Sequence, residues 1–443
     1  MQVDRALIVG LGQTGFSCAR YLHAQGTEVT VVDSREHPPM LRDLERTCPD
    51  IKIHSGGLQP ALFVNPGLLV LSPGVSMHEP VIADALKRDI DVIGDVGLFV
   101  ESISSPVIAI TGSNGKSTVT ALVGAMCKEA GFNTAVGGNI GVPVLDLLRE
   151  PEPDLYVLEL SSFQLELTPY LPCAVATVLN ISADHMDRYD DLDAYALTKA
   201  SVYAEARFCV GNRDDARVRA MLATNPQSRF FTLRAPQRAS DYGILEHAGE
   251  AWLACGDRQL MPVSDVPLNG RHNLANVLAA MALAEAVKVP VDAMVRAVRC
   301  FKGLAHRSEW VLEHEGVHWV NDSKGTNVGA TVAALKGAGS PVVLIAGGDA
   351  KGADFTPLRG AVADHARAVV LMGRDAPQIA AAMGDVVPIV EAKDMAQAVS
   401  LAAGLAQTGD TVLLSPACAS FDMFRDYQHR GEAFICAVRE WAQ

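Results

Sequence analysis

Short apolar runs rich in β-branched residues alternate along the chain with longer stretches in which apolar positions recur at helical spacing. The first pattern predicts buried strands and the second predicts helices laid against them. Their alternation points to parallel α/β sheets rather than all-β or all-α packing. Three such blocks are visible, with boundaries near 95 and 302, so residues 1–95, 96–302 and 303–443 are expected to form three domains. In the first, Arg5 to Val9 and Glu28 to Val32 read as strands around a helix from about Gly12 to Gln25, with a further strand at Leu68 to Leu71. The second begins near Pro106, where a strand over Val107 to Ile110 runs into a glycine-rich turn and a helix from Lys116 to about Ala130. It continues through strands at Leu155 to Leu160 and Ala174 to Leu179 and a helical pattern from about His272 to Val287. The third holds strands at His318 to Val320, Val342 to Ala346, Ala368 to Met372 and Thr411 to Leu414.

Composition narrows the class. With 443 residues and 49% hydrophobic content, the chain can bury more than one core. No segment reaches the roughly 18 uninterrupted apolar residues of a membrane helix, and Met1 to Gly10 lacks a basic region followed by a signal-type apolar run. The expectation is a cytoplasmic protein with no membrane partner. Nine cysteines without a CxxC pair read as reduced, structural thiols. The net charge of −14 disfavours nucleic acid, which is held by clustered Lys and Arg. A small anionic substrate is still allowed if basic residues gather locally in a cleft.

The motif that carries most chemistry is Thr111, Gly112, Ser113, Asn114, Gly115, Lys116, Ser117 and Thr118, between an apolar strand and a helix. Glycines admit phosphate oxygens to backbone N–H groups, and the helix start adds positive potential. Lys116 can reach the transferred phosphates and Ser117 can hold Mg²⁺, so ATP is the expected guest. The loop is shorter than the common phosphate-binding pattern, with Ile110 where that pattern has its first glycine. The plain alternative is a glycine-rich turn with a solvated lysine.

Other residues fall at positions suited to ligands. Glu159 closes a strand, where doubly wound sheets place ligand groups, and a carboxylate there can join Ser117 around magnesium, or simply be solvated. His185 lies in a polar loop beside Asp184 and Asp187, as either a metal ligand or a surface group. Lys199 sits in a short helical pattern, where most lysines are solvated. Asn273 and Asn276, three apart, share one helix face and suit either ligand contact or a capped helix start. Gly10, Gly12 and Gly15 follow the first strand, with Asp33 ending the second, a spacing that by itself predicts a dinucleotide oxidoreductase. In the third block, clusters around Arg307, Asp322, Lys324 and Lys351 join small residues to charge near strand ends, as phosphate and carboxylate recognition requires. Cys418 is a possible reactive thiol, but no neighbour in sequence supplies a base.

The shortened loop, Gly137-Gly138-Asn139-Ile140-Gly141, Glu159-Leu160-Ser161-Ser162-Phe163-Gln164 and Asn180 through Asp187 occur in an order that resembles the Mur ligases. Folylpolyglutamate synthetase shares the short loop. The likeness extends over essentially the whole chain, and Ser415 to Phe424 with Tyr427 and Arg430-Gly431 is similar to the branch that adds D-glutamate. The resemblance implies three α/β domains: a Rossmann-like N-terminal domain, a central P-loop ATPase-type parallel sheet and a Rossmann-like C-terminal domain. It implies a monomeric ligase that activates the carboxylate of UDP-N-acetylmuramoyl-L-alanine as an acyl phosphate with ATP and passes it to D-glutamate. It gives catalytic roles to Lys116, Glu159, His185 and Lys199, with two Mg²⁺ ions held by Ser117, Glu159, His185 and a carbamate on Lys199. ATP contacts extend to Asn273, Asn276, Arg307, Asp322 and Lys324. The UDP-substrate is given Gln13, Thr14, Ser34, Arg35, Ser72, Pro73, Gly74, Asn139 and Ser161. D-Glutamate is given Thr326, Lys351, Ser420, Phe421 and Tyr427.

Rivals make different demands. A nicotinamide oxidoreductase explains only the first block. A nonenzymatic nucleotide switch explains the phosphate loop but leaves Glu159, His185, Lys199 and the C-terminal cluster idle. Folylpolyglutamate synthetase is disfavoured by that cluster and by the N-terminal block.

Overall fold

The computed structural model describes residues 3–443, so Met1 and Gln2 of the N-terminal stretch lie outside the described residues. β1 (Arg5–Val9), β2 (Glu28–Asp33), β3 (Lys52–Ser55), β4 (Leu68–Leu71) and β5 (Val92–Ile93) form a parallel sheet in the order β3-β2-β1-β4-β5. The strand order reverses at β1, and Val9 pairs with both Val32 and Leu71. The turns after β1, β2 and β4 therefore open on one crevice, where doubly wound sheets bind ligands. The helix Gln13–Ala24 packs close behind the first turn, and a Cβ at Gly15 would collide with the Gly10 carbonyl.

The central sheet takes β6 (Val107–Thr111), β7 (Thr134–Gly138), β8 (Leu155–Glu159), β9 (Cys173–Val178), β10 (Ala206–Asn212), β11 (Arg229–Phe231), β12 (Tyr242–His247), β13 (Glu250–Cys255) and β14 (Arg258–Pro262). Its order is β14-β13-β12-β11-β10-β9-β6-β8-β7, parallel from β7 through β12, with an antiparallel meander over β12 to β14. β6 lies between β8 and β9, and Ile110 pairs with both Glu159 and Thr177. Register alone thus sets the loop after β6 beside the ends of β8 and β9. The helix Arg271–Ala286 is apolar on most sides because it is enclosed, with Val277 through Ala284 fully buried.

β15 (Glu309–His314), β16 (Val317–Asn321), β17 (Val342–Ala346), β18 (Ala366–Leu371), β19 (Ile389–Glu391) and β20 (Thr411–Leu414) form the third sheet in the order β15-β16-β20-β17-β18-β19, parallel apart from the β15–β16 hairpin. Leu414 pairs with Asn321 and Ile345, which aligns the turns holding Asp322, Gly347 and Ser415 at one edge.

Besides a core of its own in each, the first two blocks share one. Ile8 and Val31 of the first sheet belong to one apolar cluster with Ala109 and Leu158 of the second, joined through Val96, Phe99 and Leu145. Phe99 and Tyr156 meet edge to face at 4.9 Å within it. Among the described residues no helix is long and apolar enough to cross a membrane.

Candidate active site

Gly115 begins the helix Lys116–Glu129 at φ 85°, a conformation open to glycine, and Asn276 crowds the place a Cβ would take. The loop is braced from β9: Ser113 N–H donates to the Asn180 carbonyl at 2.9 Å, and Asn114 N–H donates to Asn180 Oδ1 at 2.8 Å. Lys116 Nζ donates to the Gly112 and Ser113 carbonyls, each at 2.9 Å. Burial pushes this ammonium down in pKa, while Glu159 and Asp184 pull it up. Arg307 from the third domain donates to Ser117 Oγ at 2.5 Å.

Glu159 is 2% exposed at the end of β8. Its Oε1 accepts from Asn139 Nδ2 at 2.8 Å, while its buried Oε2 has no partner. A buried orphan oxygen is costly unless another group completes it, and a cation with its water is the natural complement.

Lys199 is 1% exposed, close to the C-terminal end of a helix capped by Asp191. Its Nζ donates to Thr111 Oγ1 at 3.3 Å and lies 4.7 Å from the Tyr195 ring centroid. Burial, then the charge of Lys116, holds its pKa well below the usual lysine range, which favours the neutral amine. His185 adopts φ 58° and tilts against Phe163 at 4.8 Å between ring centroids. Desolvation pushes its pKa down; Asp184 opposes the shift, and Lys116 and Lys351 reinforce it. A neutral imidazole is the form that ligates metal. Among the described residues no group of three His, Cys, Asp or Glu side chains encloses a metal by itself.

Two cavities flank this centre. One of about 320 Å³ is lined by Asn114, Gly115 and Thr118 on one side and by Arg307, Asp322 and Lys324 on the other. Asn273 and Asn276 close its end, and Asn276 Nδ2 donates to Asn273 Oδ1 at 3.1 Å. Asp322 accepts from Ser308 N–H at 3.1 Å and Ser415 Oγ at 2.8 Å, yet burial pushes its carboxyl up to about 6. Burial, then Arg307, pushes Lys324 down to about 8, and its Nζ lies 3.9 Å from the Tyr427 ring centroid.

The second cavity, about 1000 Å³, lies at the N-terminal crevice and is lined by Gln13, Thr14, Ser34, Arg35, Ser72, Pro73, Gly74 and, from the central domain, Asn139. Ser161 is not on its wall but is bonded to Gln164, which is. Asp33, the residue suggestive of a dinucleotide ribose, accepts from Leu11 N–H at 2.7 Å and from Arg35 Nε and Nη2 at 2.8 and 2.6 Å. Its carboxylate is already engaged in holding the turn and the Arg35 side chain.

In the third domain, Asp349 and Ala419 exchange backbone hydrogen bonds at 3.0 and 2.9 Å, setting the Lys351 turn against the Ser420 loop. Ser420 is buried, Phe421 is exposed, and Lys351 Nζ stands 5.4 Å from the Phe421 ring centroid. Thr326 N–H donates to the Lys324 carbonyl at 2.8 Å. Tyr427 is paired with Lys324 rather than with Lys351 and Phe421. Burial pushes the Cys418 thiol up to about 12, which removes it as a nucleophile.

Sequence reasoning passed over several residues of this centre. Asn327 caps the helix Val328–Gly337 and also donates to Asp184 Oδ2 at 3.1 Å. Tyr195 lies against both Lys199 and Ser113. Asn180 stood in a motif but was given no role. The signal for each was a polar residue directly after a strand or at a helix start.

Comparison with known proteins identifies the family. Residues 4–94 match the Mur ligase MurD-like N-terminal domain, residues 110–284 the Mur ligase middle domain, and residues 306–418 the Mur ligase glutamate ligase domain. The UDP-N-acetylmuramoylalanine–D-glutamate ligase of Nitrosococcus oceani is 52% identical over 98% of this chain and 96% of its own. The protein of the same name from Methylobacillus flagellatus is 53% identical over 98% of this chain and 97% of its own. In fold, the chain is similar to the UDP-N-acetylmuramate-alanine ligase MurC of Thermotoga maritima, with TM-score 0.61 at 16% identity over 99% of both chains. It is also similar to MurF of Acinetobacter baumannii, with TM-score 0.60 at 17% identity over 99% of this chain and 91% of that one.

Proposed function

The chain belongs to the Mur ligase family and is an ATP-dependent ligase joining D-glutamate to UDP-N-acetylmuramoyl-L-alanine in peptidoglycan precursor synthesis; we propose that the centre around Lys116, Glu159 and Lys199 performs this chemistry. The observation that carries the assignment is Asn139. It lines the 1000 Å³ cavity and at the same time donates to Glu159, whose strand ends beside the phosphate loop. A substrate in that cavity has its reactive end directed toward the terminal phosphate of a nucleotide in the other.

In this reading ATP occupies the 320 Å³ cleft, with adenine near Asn273 and Asn276 and ribose on Asp322. The phosphates lie along Gly112 to Thr118, with Arg307 and Lys324 opposite. The UDP moiety takes Gln13, Thr14, Ser34, Arg35 and the Ser72-Pro73-Gly74 turn, Asn139 faces the muramoyl end, and Ser161 acts there through Gln164. Ser117, Glu159, His185 and a carbamate on Lys199 would hold magnesium: Glu159 keeps a free buried oxygen, and burial lowers the Lys199 pKa toward the neutral amine that a carbamate needs. Bound there, it supplies positive charge against the transferred phosphoryl group. The same burial supports carbamylation: the neutral amine adds CO₂ and releases a proton to solvent, turning an uncharged group into an anion.

The L-alanine carboxylate oxygen attacks the γ-phosphorus as the bond to ADP breaks, and Lys116 follows the charge onto the phosphoryl oxygens. The D-glutamate amine, having shed its proton, attacks the acyl carbon, and the tetrahedral intermediate expels phosphate to leave the amide. D-Glutamate is held by Thr326, Lys351, Ser420, Phe421 and Tyr427. Contacts such as Arg307 to Ser117 draw the third domain onto the second and exclude water from the acyl phosphate. Division at 95 and 302 makes each substrate the guest of one domain or one junction. The site is built from one chain, which suits a monomer, and a nucleotide-activated substrate together with ATP suits a cytoplasmic reaction.

The test is phosphate release with ATP, Mg²⁺ and UDP-N-acetylmuramoyl-L-alanine, comparing D-glutamate with L-glutamate, meso-diaminopimelate and L-alanine. Turnover dependent on D-glutamate supports the reading. Turnover with another of these amino acids, and none with D-glutamate, overturns it.

A further inference from the structure

Asp95 lies in the interval between the N-terminal and middle family matches, residues 4–94 and 110–284, and sequence patterning gives it no role. In the fold it is the first residue of the helix Asp95–Val100, which links the first sheet to the second. It is 2% exposed, with no lysine or arginine paired to it. Burial pushes its carboxyl up to about 6. Its Oδ2 accepts from Gln164 Nε2 at 3.0 Å, and its Oδ1 is buried without a partner. An isolated carboxylate kept inside a domain junction is expensive, and an apolar residue would pack there at lower cost.

The far side of Gln164 shows what the carboxylate does. An ionised carboxylate only accepts, so it fixes the Gln164 amide with Nε2 toward Asp95 and Oε1 the other way. Oε1 then accepts from Ser161 N–H at 3.1 Å and from Ser161 Oγ at 3.2 Å, and Ser161 Oγ accepts from Gln164 N–H at 3.2 Å. These bonds form the reciprocal cap of the helix Ser162–Glu166, whose capping Ser161 lies two residues beyond Glu159. Gln164 also lines the 1000 Å³ cavity. The junction is closely packed: Gly94 N–H donates to the Leu167 carbonyl at 3.1 Å, and a Cβ on Gly94 would press on Leu167.

We propose that Asp95 is a positioning residue for the UDP-sugar substrate: it fixes Gln164, on the wall of the 1000 Å³ cavity, and through Gln164 the Ser161 side chain behind it. The inference rests on the assignment of that cavity to UDP-N-acetylmuramoyl-L-alanine. It sets binding of the muramoyl end, not of ATP or D-glutamate.

The experiment measures KM for each of the three substrates, kcat and thermal midpoint in Asp95→Leu, Gln164→Glu and the exchange pair Asp95→Asn with Gln164→Glu. Asp95→Leu removes a charged hydrogen bond, and an increase of about tenfold in KM for the UDP-substrate is expected, with the ATP and D-glutamate KM values within about twofold. Gln164→Glu sets two carboxylates against each other and should raise the same KM. The exchange pair restores a donor–acceptor contact and still presents an acceptor to Ser161, so it should recover most of the loss. An unchanged UDP-substrate KM in Asp95→Leu, or equal increases in all three KM values, overturns the role. If Asp95→Leu does not fold, Gln164→Glu against the exchange pair decides: no recovery at matched thermal midpoints refutes the proposal. Failure of the wild-type protein to turn over UDP-N-acetylmuramoyl-L-alanine would instead refute the cavity assignment.

Discussion

Asn327 of the third domain and Asn114 of the phosphate loop pair their carboxamides: Asn327 Nδ2 donates to Asn114 Oδ1 at 3.1 Å, and Asn114 Nδ2 donates to Asn327 Oδ1 at 3.3 Å. Asn327 Oδ1 also caps its own helix by accepting from Ala330 N–H at 2.8 Å. One side chain therefore couples a helix start to the loop that holds phosphate. Asn327→Ala should cost about 1 kcal/mol through the lost cap. It should also lower kcat/KM about tenfold or more by loosening the closed arrangement. Asn327→Ser, which can cap but cannot reach across as a carboxamide, should recover stability in thermal melting without recovering activity.

Lys199 invites a test by carbon dioxide. Its amine is buried, donates to Thr111 Oγ1, and has its pKa pushed well below the usual lysine range by burial, which favours the neutral state that CO₂ modifies. Wild-type activity should fall in CO₂-depleted buffer and return with bicarbonate. Lys199→Arg, which stays cationic, should lose about 100-fold or more in kcat whether or not bicarbonate is present. Activity indifferent to CO₂ would remove the carbamate from the mechanism.

Much of this centre could be read from the sequence because its parts are local. The phosphate loop occupies consecutive positions from Thr111 to Thr118, and strands such as Leu68 to Leu71 and Val342 to Ala346 are unbroken apolar runs fully buried in the sheets. The meander over β12 to β14 was missed because its strands are half-exposed and pair antiparallel, a weaker signal than a continuous buried run. The Asn114–Asn327 pair, 213 positions apart, and the Asp95–Gln164 contact, 69 apart, carry no local pattern. Such roles arise only when register brings strand ends together. Tyr427 shows the complementary case: its motif suggests D-glutamate, and only the fold reveals that Lys324 Nζ also lies 3.9 Å from its ring centroid.

Arg307 reaches from the third domain to Ser117 and lines the nucleotide cleft. Its guanidinium spans the two domains in a way a shorter point charge cannot. Arg307→Lys should raise KM for ATP about tenfold, and Arg307→Ala should additionally lower kcat about 100-fold. A steady-state ATP titration at saturating UDP-substrate and D-glutamate separates the two effects. An Arg307→Ala enzyme with unchanged KM for ATP would place the nucleotide elsewhere.

Asp322 gives the pH dependence its sign. Burial lifts its carboxyl from 3.8 to about 6, so between those values the folded protein holds a proton that the unfolded chain has released. Stability from this group is therefore intact below 3.8 and declines as pH rises toward about 6, by about 3 kcal/mol at most. Asn at this position carries no such penalty, so the thermal midpoint of Asp322→Asn relative to wild type should shift in favour of the variant between pH 5 and pH 8. Nucleotide binding should run the other way, because the ionised carboxylate accepts from ribose hydroxyls more strongly than the acid does. Wild-type KM for ATP should thus rise as pH falls below about 6, while Asp322→Asn should show a higher KM at pH 8 that is flat over the same range. Opposite pH trends in stability and nucleotide affinity, both abolished by one substitution, would distinguish a ribose acceptor from a carboxylate that serves only to hold Ser308 and Ser415 in place.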